Sequence, residues 1–335
     1  MKAVPIALLC LVPAFAAVDG TVINRTSGKP EAGATVTLYK LGQSGPEFLE
    51  SVKSDAQGKF SIDKPAQGPH LLEAAVEGVT YNHILTPGSP TSGLTLDVYD
   101  SSKRPGGARV LRHFIIFQPN GAQMSVNEGF IFRNDSLVTY NDPDGGTLKF
   151  YLPTAAKGIV QVKATAPHGM PIDRAADKTA KKDIYKVDFA IKPGETNFEI
   201  SYLVPYSSGA AYEGKVLEKT DEPTLLVVPN GISIKGDGLE SKGQEPRSQA
   251  SVFSVKSADF KVEIAGNAMP AAADSDAADS GPGIEEISPK ILQKNTGWIL
   301  ALALGILALG FVVLYRAEPA GAAAGAKGKN GRGRR

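Results

Sequence analysis

Cysteine occurs once in these 335 residues, as Cys10, and tryptophan once, as Trp298. Cys10 lies in a leader that cleavage would remove, so the mature chain has no thiol. Disulfides, thiolate metal sites and cysteine nucleophiles are thereby excluded, and stability has to come from core burial. The tryptophan platforms that starch-type modules offer to sugar rings are missing as well. Histidine is sparse: His70, His83, His113 and His168 stand apart, without metal-ligand spacing. There is no Gly-x-Ser-x-Gly elbow, P-loop or Rossmann fingerprint. The net charge is only +1, and outside the extreme C-terminus no cluster of Lys and Arg suggests a nucleic-acid surface.

What is present is strongest at the two ends. Met1 and Lys2 precede the apolar run Ala3 to Phe15, which closes on the small-residue site Ala14-Phe15-Ala16. That order of charge, short apolar core and A-x-A site is the layout of a secretory signal over residues 1–16. Leu9 before Cys10 does not suit a lipobox. Near the other end, Trp298 to Tyr315 is a run of 18 uncharged residues, which as a helix is about 27 Å long and matches a bilayer core. Trp298 and Tyr315 would anchor it at the headgroups, with Arg316 just beyond. The tail after it holds six basic residues and one acid, whereas Asp274 to Lys294 holds five acids and two lysines. The positive-inside rule puts the tail in the cytoplasm and the rest outside, as a cleaved leader also requires. Without the tail and Lys2, 29 basic and 34 acidic residues remain, so the external part is slightly acidic. Its freedom from disulfides suits a bacterial periplasm or cell surface.

Between the ends, the sequence reads as short strands. Ala34-Thr35-Val36-Thr37-Leu38-Tyr39 alternates with period two, and Ser54-Asp55-Ala56-Gln57-Gly58 is a turn before Lys59-Phe60-Ser61-Ile62. From Gly20 to Ser102 no stretch repeats with a helical period, and about seven strands are expected, as in an all-β sandwich. The order Gly20-x-Val22, Ser27-Gly28-x-Pro30, Gly33-Ala34-x-Val36-x-Leu38, Ser54-Asp55-x-x-Gly58-x-Phe60-x-Ile62 and Gly68-x-His70-x-Leu72 resembles the carboxypeptidase regulatory-like domain. The resemblance covers about a quarter of the chain. It implies a transthyretin-like Greek-key sandwich, often grouped with carbohydrate-binding-like folds, and no catalysis. Gly28, Gly33, Gly58 and Gly68 are the structural turn glycines of that pattern. The family's aromatic after the last hairpin is replaced by Gly78-Val79-Thr80-Tyr81.

The expected organisation is a leader (1–16), this sandwich (17–102), a second β-rich region (103–266), a tether rich in Ala, Asp, Ser, Gly and Pro (267–295), a membrane helix (296–315) and a basic tail (316–335). The second region shows roughly ten strand candidates, enough for one large sandwich or two small ones hinged near Pro205-Tyr206-Ser207-Ser208-Gly209. Arg104-Pro105-Gly106-Gly107 reads as a linker.

Few motifs suggest chemistry. His70-Leu71-Leu72-Glu73 spells the H-x-x-E of zinc carboxypeptidases, but residues three apart on a strand point to opposite faces. His70 is therefore read as a half-buried structural residue. His113 precedes a core-like strand and reads as packed. Asn141 to Gly146 is acidic but fails the calcium-loop template and reads as a hairpin turn. Asn24-Arg25-Thr26 and Asn134-Asp135-Ser136 are glycosylation sequons. Tyr39, Tyr81 and Tyr99 are what remains for sugar stacking, and most of them suit the core. No catalytic, cofactor or metal residue is assigned and no cofactor is expected.

The expectation is a non-enzymatic, single-pass, membrane-anchored binding or scaffold protein of the cell envelope, with other envelope proteins as partners and no nucleic acid. A carbohydrate or cell-wall binding module is the alternative, and a metal-dependent hydrolase stands third. Protease added to intact spheroplasts should remove epitopes placed within residues 20–265 and spare one at Arg335; protection of the N-terminal epitopes would refute this topology.

Overall fold

Alternation of apolar and polar side chains sets the strands, and turn residues cut them. The computed structural model describes residues 18–266, with 65 and 67 excepted. The leader, the tether, the membrane span with Trp298, Tyr315 and Arg316, and the tail lie outside the described residues. Within them the chain is all-β. No helix there is long and apolar enough to cross a membrane.

The first lobe holds β1 (Val18–Asn24), β2 (Lys29–Pro30), β3 (Thr35–Gly42), β4 (Gly45–Lys53), β5 (Lys59–Ile62), β6 (His70–Val76), β7 (Val79–Leu85) and β8 (Leu94–Val98). They form two four-stranded sheets. In one, β1 lies between β2 and β5 and also pairs in parallel with β8; the other runs β4-β3-β6-β7. Val18, Val22, Phe60, Ile62 and Leu96 from the first sheet meet Val36, Leu38, Leu72, Ala74 and Tyr81 from the second in one buried cluster. Strand β3 shows how sequence gives this: Val36 and Leu38 face the core while Thr35, Thr37 and Tyr39 face outward. Strands β4 and β7 were not foreseen. The sequence of β4, GPEFLESVK, alternates poorly because it is an edge strand with a bulge opposite Leu38 and Tyr39.

Gly28, Gly33, Gly58 and Gly68 all have positive φ, of 71°, 77°, 72° and 97°. Only Gly58 is also enclosed. The Asp55 carboxylate accepts the N–H groups of Gln57 and Lys59 at 2.9 and 2.8 Å, which closes the turn. A Cβ on Gly58 would then lie 2.6 Å from the Val22 carbonyl oxygen and 2.9 Å from Pro30 Cβ.

A two-residue bridge, β9 (Ser101–Ser102), leads into the second lobe. There follow β10 (Ala108–Asn120), β11 (Gln123–Asn134), β12 (Thr139–Tyr140), β13 (Leu148–Tyr151), β14 (Lys157–Thr165), β15 (Ile172–Arg174), β16 (Asp177–Lys178) and β17 (Ile184–Val187). Then come β18 (Gly194–Pro205), β19 (Ala210–Lys215), β20 (Thr224–Val228), β21 (Ile232–Lys235), β22 (Leu239–Gln244), β23 (Ser251–Val255) and β24 (Asp259–Gly266). An eight-stranded sheet runs β15-β14-β18-β11-β10-β20-β23-β22, and two three-stranded sheets, β13-β17-β16 and β19-β24-β21, share its core. One contiguous apolar cluster joins all three sheets across residues 108–264. The segment 205–209 is tied down within it: Tyr206 is buried and its hydroxyl donates to the Gly266 carbonyl at 2.6 Å.

The two lobes fall within one compact unit. Strand β9 pairs with β12, and the buried Tyr81 hydroxyl bonds the Tyr99 carbonyl at 3.0 Å and the Thr139 hydroxyl at 2.8 Å. Burial pushes that phenol up to about 12, so it stays protonated. Gly58→Ala should destabilise the protein by more than about 2 kcal/mol, because strain and a backbone clash add, while Gly28→Ala in open space should cost about 1 kcal/mol. Denaturant midpoints of the two variants check the order.

Candidate binding surface between the lobes

Residues directly opposite in an antiparallel pair share a face. On the outer face of the β4-β3-β6-β7 sheet, Tyr39 stands opposite both Phe48 and Leu71, and Leu71 opposite Ile84. The result is an apolar row crossing all four strands. Phe48 and Ile84, on the two edge strands, are 60 % and 42 % exposed, whereas Leu71 between them is buried. The Tyr39 and Phe48 rings are 6.1 Å apart and inclined at 76°. Beside this row runs a polar one, in which Glu73 is opposite Thr37 and Asn82.

The second lobe overhangs one end of this face. A cleft of about 470 Å³ is lined by Glu73, Thr80 and Asn82 from the first lobe and by Met170, Arg174 and Lys192 from the second. The Lys192 ammonium donates to the Thr80 carbonyl and lies 5.1 Å from the centre of the Tyr81 ring. Arg174 sits 5.1 Å over the Phe189 ring. Burial pushes the Lys192 ammonium down to about 8, against the opposing charge of Glu73. The Glu73 carboxyl is pushed up by its own burial, which outweighs the pull of Lys192 and of the nearby Tyr39 hydroxyl. The cleft thus carries two groups of opposite charge, Glu73 and Lys192, next to the sheet face that bears the row.

The residues singled out from sequence are dispersed. His70 is 2 % exposed, more deeply buried than expected, and its Nδ1 is 3.1 Å from the Gly68 carbonyl oxygen. It faces the core with Leu72, while Glu73 faces outward, so the H-x-x-E pair does not converge. His113 is buried, stacks on Phe130 with centroids 4.2 Å apart, and bonds Thr224 at 3.0 Å and Glu128 at 2.7 Å. Its partner Glu128 was not foreseen. His83 and His168 are exposed. Around Asn141 to Gly146, the Asp142 carboxylate accepts the Gly145 N–H at 2.9 Å, and Asp144 pairs with Lys103 at 2.6 Å. Among the described residues no three His, Cys, Asp or Glu side chains are placed to hold a metal.

Both sequons are built into turns. Asn24 is 5 % exposed, and its amide donates to Glu31 and Asp100. The Asn134 amide donates to the carbonyls of Val138 and Ile191. Each amide oxygen accepts the N–H two residues on, so Thr26 and Ser136 belong to Asx turns. Tyr81 is a core residue, whereas Tyr39 is on the open face. Phe48, Ile84 and Lys192 were missed. Phe48, an apolar residue in an acidic segment, was the one legible signal, since Lys192 reads as part of a Lys-Pro-Gly turn. No family model matches the chain, and no curated protein matches it.

The folded Lys192 binds fewer protons than an unfolded lysine between pH 8 and about 10.5. Stability relative to Lys192→Met should therefore rise as the pH is raised through that window. In a ¹³C-methylated sample, Lys192 should titrate near 8, and Glu73→Gln, which removes the charge holding it up, should lower the value further. An ordinary lysine titration, unchanged by Glu73→Gln, would contradict the cleft electrostatics.

Proposed function

We propose that this chain is a non-enzymatic, extracytoplasmic binding protein, held at the membrane by its C-terminal segment, whose first lobe is a transthyretin-like sandwich. Its partner is another protein of the cell envelope, which docks on the outer face of the β4-β3-β6-β7 sheet. The observation that carries this reading is the apolar row of Phe48, Tyr39, Leu71 and Ile84, exposed at its two ends. An apolar stripe rimmed by Thr37, Glu73 and Asn82 has the make-up of a protein contact, apolar at its centre and polar at its edge.

The inclination of the rings argues for a protein over a sugar. Sugar rings stack on flat aromatic faces, and Tyr39 and Phe48 at 76° offer no shared plane. The carbohydrate alternative rests on fold analogy alone. Docking would be by the face, because the β4 edge is guarded. Pro46 lacks an N–H, Leu49 falls at a bulge, and Glu50, opposite the core residue Leu38, places a charge at the sandwich rim. Each is a known defence against added strands.

A photo-crosslinking residue at position 48 or 84 of the full-length protein, in native membranes, should yield a discrete cross-linked polypeptide. One at position 199 on the second lobe should not. Phe48→Asp combined with Ile84→Asp should abolish that product with stability changed by less than about 0.5 kcal/mol per site. Saturable retention on cell-wall glycan, lost in the same double variant and without any cross-linked polypeptide, would replace this reading with the carbohydrate one.

A further inference from the structure

The two three-stranded sheets of the second lobe meet along a seam formed by β13 and β19. Both are edge strands, and neither pairs with the other. Their hydrogen-bond phase can be read from their ends. Val216 N–H donates to the Ala258 carbonyl at 2.7 Å, just past the pair Lys215 and Asp259. Even-numbered residues of β19 therefore bond β24, and Ala211 and Glu213 turn their N–H and C=O groups to the free edge. On the facing strand, Leu152 N–H donates to the Asp183 carbonyl at 2.9 Å, so Lys149 and Tyr151 turn theirs to the seam.

The two ends of the seam differ. At one end the Glu218 carboxyl lies near Lys149 and is pushed up by burial, which outweighs the pull of Lys149. At the other end the seam widens into a pocket of about 260 Å³ between Tyr151 to Ala155 and Ala210 to Glu213. Met124, Val204 and Pro205 also line it. An apolar cavity of about 150 Å³ accepts a benzene ring, so this one has room for one large apolar side chain. Beneath, Tyr212 is locked by its 2.7 Å hydroxyl contact with Tyr202 and by an edge-on contact with Phe117 at 4.8 Å. At the rim, Lys215 stands 5.6 Å over the Tyr151 ring and pairs with Asp259, while Glu213 pairs with Lys261.

Free strand-edge amides beside a pocket walled in part by Met124, Tyr151, Pro153 and Val204 define an occupant. We propose that the seam binds a short extended peptide segment, whose backbone pairs with Ala211 and Glu213 and whose single large apolar side chain enters the pocket beside Met124 and Tyr151. Main-chain bonds to a strand edge supply affinity, and the side-chain pocket supplies selectivity. The neutralised rim, with both nearby charges already paired, disfavours a strongly charged side chain at that position. This site is separate from the face carrying Phe48 and Ile84, and its occupancy does not depend on the partner proposed there.

The test uses the full-length chain labelled with ¹³C-methyl methionine. Met124 reports on the pocket, and Met170, in the cleft between the lobes, serves as the internal control. The probe is N-acetyl-Ala-Phe-Ala-amide. The expected result is a saturable shift of the Met124 methyl with Met170 unmoved, and movement of the Ala211 and Glu213 amide signals. The same probe N-methylated at Phe, and the all-alanine tripeptide, should each bind about tenfold more weakly or worse. Glu213→Pro removes an N–H that the β24 ladder does not use, and should weaken the probe by a similar factor. If that variant misfolds, the N-methylated probe on the unaltered protein decides. No Met124 shift at millimolar probe, parallel shifts of Met124 and Met170, or equal binding of the N-methylated probe would each overturn the proposal.

Discussion

Every open sheet ends in edges whose N–H and C=O groups have to find partners, and the six sheets of the described residues meet that constraint repeatedly. The solutions differ from edge to edge. At β4, proline, a bulge and the charge of Glu50 make pairing unfavourable. At β7, Lys192 reaches across from the second lobe to the Thr80 carbonyl. At β13, the Glu218 carboxyl stands beside Lys149. Along β19 the edge opens onto a pocket. Guarding and binding are thus two outcomes of the same requirement.

The same requirement ties the lobes together. Lys192 caps an edge only by giving up most of its hydration, which is why its ammonium is pushed down to about 8. Tyr81 does something similar with a neutral group, satisfying its hydroxyl on Tyr99 and Thr139 at once. A buried neutral hydroxyl with two partners costs little to desolvate, whereas a buried ammonium costs a good deal. The Tyr81 contact therefore suits a permanent joint. Lys192, pushed down by burial against the charge of Glu73, gives the cleft beside it a titratable group. In the second lobe, His113 and Glu128 form a buried pair whose removal one partner at a time would leave an unpaired polar group.

Some of this was legible in the sequence. Alternation over Ala34 to Tyr39, and the turn glycines, gave an all-β first lobe, because period two and positive φ are local properties of the chain. The opposition of His70 and Glu73 was also local: three residues on any strand span half a period too many for convergence. Strand β4 was not legible, since an edge strand that guards itself with Pro46 and Glu50 erases its own alternation.

Local chemistry, then, is what the sequence by itself determined: strand or turn, and which side chains cannot meet. Tertiary structure decided which residues face each other across long separations. Lys192 reads as part of a turn until Thr80 and Tyr81 are brought to it, and the row from Phe48 to Ile84 exists only once four strands are in register. The two Asn-x-Ser/Thr triplets look like surface acceptors until their amides are seen bonded to Asp100 and Ile191. Pairing register is a long-range choice made by packing, so no window of sequence contains it.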